Sequence, residues 1–213
     1  MVKQKPTFEA IEPDFGHSFT YQKFDEHKLN KNNLWHYHPE LELVYVNGGS
    51  GKRQIGSHVS YYTNGDLILI GSNLPHCGFT DALTGNTSET VVQLKLDFLG
   101  PDFFKLPEMK KIESLFNSAS GGIAFSGKTK RKIGDKIEVL EYQTDFQRLL
   151  SILNILNELG NSVKNNFKEE LTLEEISSMV SMTIPSFCRY FKKITNKTFI
   201  QFVNEYRLVH ASK

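Results

Sequence analysis

Residues 171–191 read LTLEEISSMVSMTIPSFCRYF and carry the strongest structural signal in the chain. Thr172 followed by Glu175 forms a capping box, which predicts that a helix begins there. The apolar pattern then breaks, and Thr183 with Pro185 predicts the start of a second helix, because proline is tolerated in a first helical turn. Two short helices joined by a tight turn form a helix-turn-helix arrangement.

The second predicted helix has one apolar side and one polar, basic side. Phe187, Phe191 and Ile194 recur at helical spacing and predict the buried side. The other side carries Pro185, Ser186, Cys188, Arg189 and Lys192. Such a face would suit the major groove of DNA, but a helical hairpin with a solvated face fits the periodicity equally well. Downstream, Thr198 followed by Gln201 predicts the cap of a third helix.

This segment resembles the first helix-turn-helix of AraC-family transcriptional regulators. The resemblance lies in LTLEEIS at 171–177, SFCRYFKK at 186–193 and NKTFIQFVNEYRL at 196–208. It implies that Pro185, Cys188 and Arg189 occupy the base-reading positions and that Lys192 and Lys193 contact phosphates. Ser186 is a further expected DNA-binding residue on the same helix. The family pattern has two such units, and only the first is recognisable. We therefore expect an incomplete DNA-binding segment over 161–213.

The N-terminal half has the pattern of β-structure. Short runs at 41–46, 59–62, 67–70 and 91–98 are apolar or alternate in polarity, with glycine and asparagine between them. The dipeptide Asn64-Gly65 is typical of a two-residue hairpin, which predicts that the second and third runs pair. Many short strands with such turns favour a barrel or a sandwich.

A polar constellation accompanies the first of these runs. Four polar residues follow one another at every second position: His36, His38, Glu40 and Glu42. In a single strand, all four side chains would therefore point to one face. Three imidazoles, counting His76 from a later segment, and one carboxylate would suit a divalent transition metal. The alternative is a set of hydrogen-bonded polar residues in a barrel wall that binds no ligand.

The same spacing resembles the cupin family. The pattern H-x-H-x3-E-x6-G over 36–49 resembles the first cupin motif, and Gly65 followed by His76 resembles the second. The run WHYHPE at 35–40 is also similar to the sensor arm of many AraC regulators. The resemblance implies a cupin-like jelly-roll barrel over 1–105 that binds a small-molecule effector, such as a sugar or a similar metabolite. Its implied ligand-binding residues, and its metal ligands if a metal is bound, are His36, His38, Glu42 and His76.

The middle of the chain, 106–160, reads as linker and dimerisation helices. A short helix is predicted at 108–116 and a long one at 135–159, ended by Gly160-Asn161. The long helix has two apolar faces: Phe146, Leu149, Leu150, Leu153 and Leu156 on one, and Ile152, Ile155 and Leu159 on the other. Such a helix either contacts a second subunit or is buried within one chain.

Composition limits the classes of function. The net charge is +1, yet residues 161–213 carry eight Lys and Arg against five Asp and Glu, as a DNA reader would. The sequence predicts neither a signal peptide nor a membrane span, and two distant cysteines favour a reducing cytoplasm. We expect a mainly β cupin-like barrel followed by an all-α helix-turn-helix segment, in a homodimeric DNA-binding regulator that is not an enzyme. The alternatives are a metal-dependent cupin enzyme and a truncated regulator that only dimerises.

Overall fold

The computed structural model of the protein describes residues 5–28, 30, 34–77, 85–166, 173–180 and 182–201. The chain divides into two compact units, Met1–Ser162 and Val163–Lys213. The first unit thus spans both the stretch expected as a barrel and the stretch expected as linker helices. The second unit falls within the stretch 161–213, which was expected as the helix-turn-helix segment.

The described part of the first unit contains nine strands. They are β1 (Thr7–Phe8), β2 (Phe19–Phe24), β3 (His36–Tyr37), β4 (Leu41–Gly48), β5 (Ser50–Ile55), β6 (His58–Thr63), β7 (Asp66–Ile70), β8 (Asn86–Leu94) and β9 (Ile123–Ala124). The strand expected at 91–98 is wrong at its C-terminal end, because β8 stops at Leu94 and residues 95–97 are exposed outside it.

Five strands form an antiparallel sheet in the order β2-β8-β4-β7-β9. Every residue of β7 is buried, and β4 is buried on both faces from Leu41 to Val44. Strands covered on both faces are apolar without strict alternation, which explains the continuous runs in the sequence. The core between the sheet and its neighbour contains Val44, Val46, Ile55, Tyr62, Ile68, Ile70 and Val91.

A second layer of strands lies across this core. β5 and β6 form an antiparallel hairpin, while β1 and β3 form a short parallel pair. His76 connects the two pairs through single bridges to His36 on one side and Ile55 on the other. An ion pair between Arg53 on β5 and Asp66 on β7 links the second layer to the five-stranded sheet.

The expected hairpin at Asn64-Gly65 is wrong. Both residues have positive φ, as such a turn requires, but β6 pairs with β5 and β7 pairs with β4. The dipeptide instead carries the chain from one sheet to the other. A Cβ at position 65 would lie 2.4 Å from the carbonyl oxygen of Val46, so glycine is required by contact as well as by φ.

The strands form separate sheets and do not close into a hydrogen-bonded ring among the described residues. The unit is therefore a mixed structure of antiparallel sheets and helices, and a closed jelly-roll barrel is not confirmed. The two facing layers still bury a common core, as a sandwich does.

Helices also belong to this part of the chain. They are α1 (Lys110–Ser118), α2 (Gly127–Glu138) and α3 (Asp145–Asn166). Of these, α2 contacts β4 and β7 of the five-stranded sheet. The expected single helix over 135–159 is wrong: a 3-10 turn at Val139–Tyr142 separates α2 from α3. Thr144 and Gln147 form a reciprocal capping box that begins α3, with N–H to Oε1 and N–H to Oγ1 distances of 3.1 and 3.4 Å.

The expected helix end at Gly160-Asn161 is also wrong, because α3 continues to Asn166. Its buried side contains Ile152, Ile155, Leu156 and Leu159, whereas Phe146 and Leu150 are 69% and 45% exposed. The predicted face with Ile152, Ile155 and Leu159 is thus the core face. The other predicted face is divided: Leu156 is buried and Leu149 and Leu153 are half-buried, whereas Phe146 and Leu150 are exposed. Among the described residues, no helix has both the length and the apolarity needed to cross a bilayer.

The second unit contains α4 (Leu173–Met179) and α5 (Ile184–Thr195). Thr183 is the N-cap residue of α5 and Pro185 lies in its first turn, as the sequence predicts. Asn196 ends α5 in a left-handed conformation. Thr198 and Gln201 form the predicted capping box, with N–H to side-chain oxygen distances of 3.0 and 3.2 Å. The Thr172 cap and residues 202–208 lie outside the described residues.

Candidate metal centre and candidate DNA-reading helix

Four side chains meet at the point where the two layers of strands are joined. His36 lies on β3, Glu42 on β4 and His76 on the bridging segment, with His38 between β3 and β4. The alternation in the sequence predicts one continuous strand from 36 to 42, but β3 ends at Tyr37 and β4 begins at Leu41. A bend at Pro39 and Glu40 lies between them.

The four side chains are close and shielded from solvent. One ligand atom from each residue lies within 4.8 Å of those from the other three, and all four residues are at most 5% exposed. His38 Nε2 lies 3.0 Å from Glu42 Oε2, and His76 Nε2 lies 3.4 Å from Glu42 Oε1. The Glu42 carboxylate therefore faces two of the imidazoles with two different oxygens.

Backbone carbonyls fix the orientation of two imidazoles. His36 Nδ1 donates to the carbonyl oxygen of Leu34 at 2.7 Å, and His76 Nδ1 donates to that of Leu74 at 2.8 Å. A carbonyl oxygen can only accept, so in both rings Nδ1 carries the proton. Nε2 is then the nitrogen that faces the cluster, as in most metal-ligating histidines.

Glu42 is oriented by a residue that the sequence analysis did not single out. Gln93 on β8 donates from Nε2 to Glu42 Oε2 at 2.8 Å, and its own Oε1 accepts from Thr20 Oγ1 at 2.9 Å. Burial raises the pKa of the Glu42 carboxyl, but His38 and His76 outweigh it and hold that pKa well below the usual range. Glu42 is thus a buried carboxylate in its charged form.

The electrostatics of His76 depend on the same carboxylate. Burial lowers the pKa of the imidazole, but the nearby Glu42 charge outweighs burial and raises it. Even so, His76 Nε2 makes no hydrogen bond within the described structure, because its 3.4 Å contact with Glu42 lacks the required geometry. A buried nitrogen without a hydrogen-bond partner is costly, and a bound cation would satisfy it.

Two further carboxylates border the cluster. Glu40, 4% exposed, has Oε2 at 3.7 Å from His38 Nδ1, too far for a hydrogen bond. Glu9, next to β1, has Oε2 at 3.2 Å from His36 Nε2. The donor set of three imidazoles and surrounding carboxylates fits a divalent transition metal by its chemistry. No local sequence pattern marks Glu9, which reaches the cluster only through the pairing of β1 with β3.

The candidate DNA-contacting residues lie on α5. Phe187 is buried at 5% exposure and, with the half-buried Phe191, contacts the ring of Phe199. Of the expected DNA-contacting residues, Pro185, Arg189, Lys192 and Lys193 are exposed, and Ser186 and Cys188 are half-buried. Ile194, expected on the buried side, is 61% exposed. The structure therefore presents the expected polar residues, with three cations, at the surface of the second unit.

No protein-family model matches the sequence, and no curated protein matches it. Similar solved structures include apo ToxT K231A from Vibrio cholerae strain SCE256, with 12% identity, a TM-score of 0.37, and 91% of this chain and 81% of that chain covered. ToxT from Vibrio cholerae O395 has 10% identity and a TM-score of 0.38, with 91% of this chain and 80% of that chain covered. The AraC-like transcriptional activator CuxR has 12% identity and a TM-score of 0.38, with 82% of this chain and 68% of that chain covered. All three TM-scores are below 0.5, so a function for this chain has to be argued from its own residues.

Proposed function

We propose that this chain is a transcription regulator that binds DNA through α5 and holds a divalent transition metal at the buried histidine centre. The metal centre forms part of an effector site for a small molecule, such as a sugar or a similar metabolite. The proposal of DNA binding rests on the exposed basic face of α5. The proposal of metal binding rests on the convergence of His36, His38, Glu42 and His76.

The geometry of α5 supports DNA reading. It is a capped helix whose buried side is occupied by Phe187, so its opposite side is available to a major groove. Arg189, Lys192 and Lys193 form no ion pair with any described acidic residue. We assign Pro185, Ser186, Cys188 and Arg189 to base contacts, and the two lysines to phosphates.

The distances in the histidine centre support a shared ion. Two donor atoms that each lie about 2.1 Å from one ion, about 90–110° apart, are separated by about 3.0–3.4 Å. The His38–Glu42 and His76–Glu42 contacts, at 3.0 and 3.4 Å, fall within this range. When bound, a divalent ion would act as a Lewis acid that polarises an oxygen of a ligand. The protein would hold that ion with His36, His38, Glu42 and His76, and exclude bulk water by burial.

The remaining parts of the proposal concern architecture and assembly. The two facing strand layers would correspond to an open form of a cupin-like jelly roll, joined at His76. A homodimer would form through the exposed side of α3, where Phe146 and Leu150 lie. Dimerisation would bring two copies of α5 into one assembly and add their phosphate contacts.

A metal-dependent enzyme is the second candidate, favoured by the complete set of four buried ligands. The two candidates differ in what the metal-loaded protein does with DNA. Selection from random duplex DNA, followed by sequencing of the bound fraction, tests the regulator: an enriched common motif is expected. Metal analysis of the purified protein tests the centre separately. An unenriched pool together with bound metal would contradict the regulator and favour the enzyme.

A further inference from the structure

The carboxylate of Glu9 faces the same nitrogen that His36 would offer to a metal. Because His36 Nδ1 donates to the carbonyl oxygen of Leu34, Nε2 is its ligating nitrogen. Glu9 Oε2 lies 3.2 Å from that Nε2. This separation is within the about 3.0–3.4 Å expected for two donors on one ion. Glu9 therefore faces the ligating nitrogen of His36, at the edge of the group formed by His36, His38, Glu42 and His76.

We propose that Glu9 is a further ligand of the metal ion, so that the centre is built from three histidines and two glutamates. This inference rests on the proposed metal centre and adds a ligand from a strand that is remote in sequence. β1 positions the carboxylate by pairing in parallel with β3, Phe8 opposite Tyr37. Glu9 N–H donates to the carbonyl oxygen of Tyr37 at 3.0 Å and fixes its backbone beside the site.

The burial of two neighbouring carboxylates supports a cation at this centre. Glu42 and Glu40 are 5% and 4% exposed. Their ion-pair partners among the described residues are imidazoles, with no lysine or arginine within reach. Gathering carboxylates in a shielded site is costly unless a cation compensates them. A divalent ion would be that cation, and His76 Nε2, without a hydrogen bond at 1% side-chain exposure, faces the place it would occupy.

The number of donors limits which ions the centre prefers. Structural zinc sites are almost always four-coordinate, whereas octahedral and five-coordinate sites suit ions such as Mn2+, Fe2+, Co2+ and Ni2+. Three nitrogens and two oxygens already make five donors before any effector binds. The centre should therefore select an ion that accepts five or six ligands, which leaves one position for an oxygen of the effector.

Binding of Co2+ to the full-length protein tests this assignment, because the visible absorption of Co2+ depends on its coordination number. We compare the wild-type protein with Glu9→Gln, which keeps the side-chain shape but removes the charge. Glu42→Gln reports on the centre itself. Glu12→Gln is the matched control, since Glu12 is exposed and lies in the same N-terminal segment. Circular dichroism melts of the metal-free proteins establish that each variant is folded.

The expected result is that Glu9→Gln binds Co2+ at least about tenfold more weakly. Its absorption should also be stronger, as for a lower coordination number, while Glu12→Gln matches the wild type. An unchanged affinity and spectrum in a folded Glu9→Gln protein would overturn the role of Glu9 but leave the metal centre intact. If neither the wild type nor Glu42→Gln binds Co2+, the proposed metal centre itself fails, and Glu9 with it.

Discussion

Gln93 donates a hydrogen bond from Nε2 to Glu42 Oε2 at 2.8 Å, joining β8 to β4 across the candidate metal centre. Glu42 is thereby fixed with its oxygens directed at His38 and His76. Because groups that orient metal ligands contribute strongly to affinity, we expect Gln93→Leu to weaken metal binding by about 10–100-fold. Calorimetric titration with Co2+ or Ni2+ would measure this loss.

The same substitution should also affect the metal-free protein. Leucine leaves a buried carboxylate short of one hydrogen bond, at a cost of about 1.5–3 kcal/mol in the free energy of unfolding. Gln22→Leu makes the same chemical change at an exposed position on the neighbouring strand β2 and is the control. Equal metal affinities for the two variants would show that Gln93 does not orient the ligands.

Metal removal gives a second, independent prediction. An ion that binds only the folded protein raises stability by about 2.7 kcal/mol when its concentration is a hundred times Kd. We expect excess Co2+ to raise the Tm of the wild-type protein and a chelator to reverse the rise. His76→Ala should show no such rise, whereas His58→Ala, at an exposed position on β6, should behave as the wild type. A Tm that is insensitive to both metal and chelator would contradict the centre.

The sequence could predict His36, His38 and Glu42 because they lie close together in the chain and are residue types that bind metals. His76 could be predicted because its spacing from Gly65 resembles the second cupin motif. The sequence could not predict Gln93 or Glu9. These two reach the site only through strand register, β8 against β4 and β1 against β3. Nothing in the short-range pattern of either residue differs from an ordinary polar position on a strand.

The helices show a similar limit of sequence reasoning. The end of α2 and the start of α3 had a local signal, the Thr144–Gln147 capping box, which lay hidden inside a longer apolar periodicity. At Gly160 the prediction was wrong in the opposite sense. The low helix propensity of glycine predicted a helix end, but α3 continues through Gly160 to Asn166. Propensity is a weak prior that contacts with a neighbouring element can override.

The packing around Gly160 makes Gly160→Ala a test of the fold. A Cβ at position 160 would lie 2.6 Å from the carbonyl oxygen of Lys111 on α1, which is backbone and cannot move aside alone. Alanine usually stabilises a helix relative to glycine by about 0.5–1 kcal/mol. Here we expect the clash to dominate, with a net loss of about 1–3 kcal/mol in the free energy of unfolding.

Gly121→Ala is the matched control, because a Cβ there would meet no atom within 4 Å and its φ is not in the left-handed region. It should be neutral or slightly stabilising in a urea titration. If Gly160→Ala were as stable as Gly121→Ala, α1 and α3 would not approach as closely as described.

The exposed side of α3 leads to a prediction about assembly. Phe146 and Leu150 are one helical turn apart and 69% and 45% exposed, an unusual arrangement for two large apolar residues at neighbouring positions. We expect the wild type to be a dimer by light scattering and the double variant Phe146→Glu, Leu150→Glu to be a folded monomer. Leu106→Glu changes an equally exposed leucine elsewhere in the same unit and should remain dimeric. A dimer that survives the double change would place the interface elsewhere.

Arg189 and Lys192 lie on the exposed surface of α5 but should act differently on DNA. An arginine that contacts a base edge discriminates sequence, so Arg189→Ala should cost about 1–3 kcal/mol of binding to the selected motif and relax its specificity. A lysine that contacts a phosphate contributes to all sequences alike. Lys192→Ala should therefore weaken binding to matched and mismatched DNA equally, and reduce the slope of log affinity against log salt by about one.

Lys128→Ala removes an exposed cation from α2, in the other unit, and controls for the loss of net charge. Fluorescence anisotropy titrations of motif and mismatched duplexes at several salt concentrations would separate the three effects. Since Lys128 is far from α5 in sequence and belongs to a different compact unit, its loss should alter neither specificity nor the salt slope. If Arg189→Ala merely reproduced the behaviour of Lys128→Ala, α5 would not be the helix that reads bases, and the regulator assignment would lose its main support.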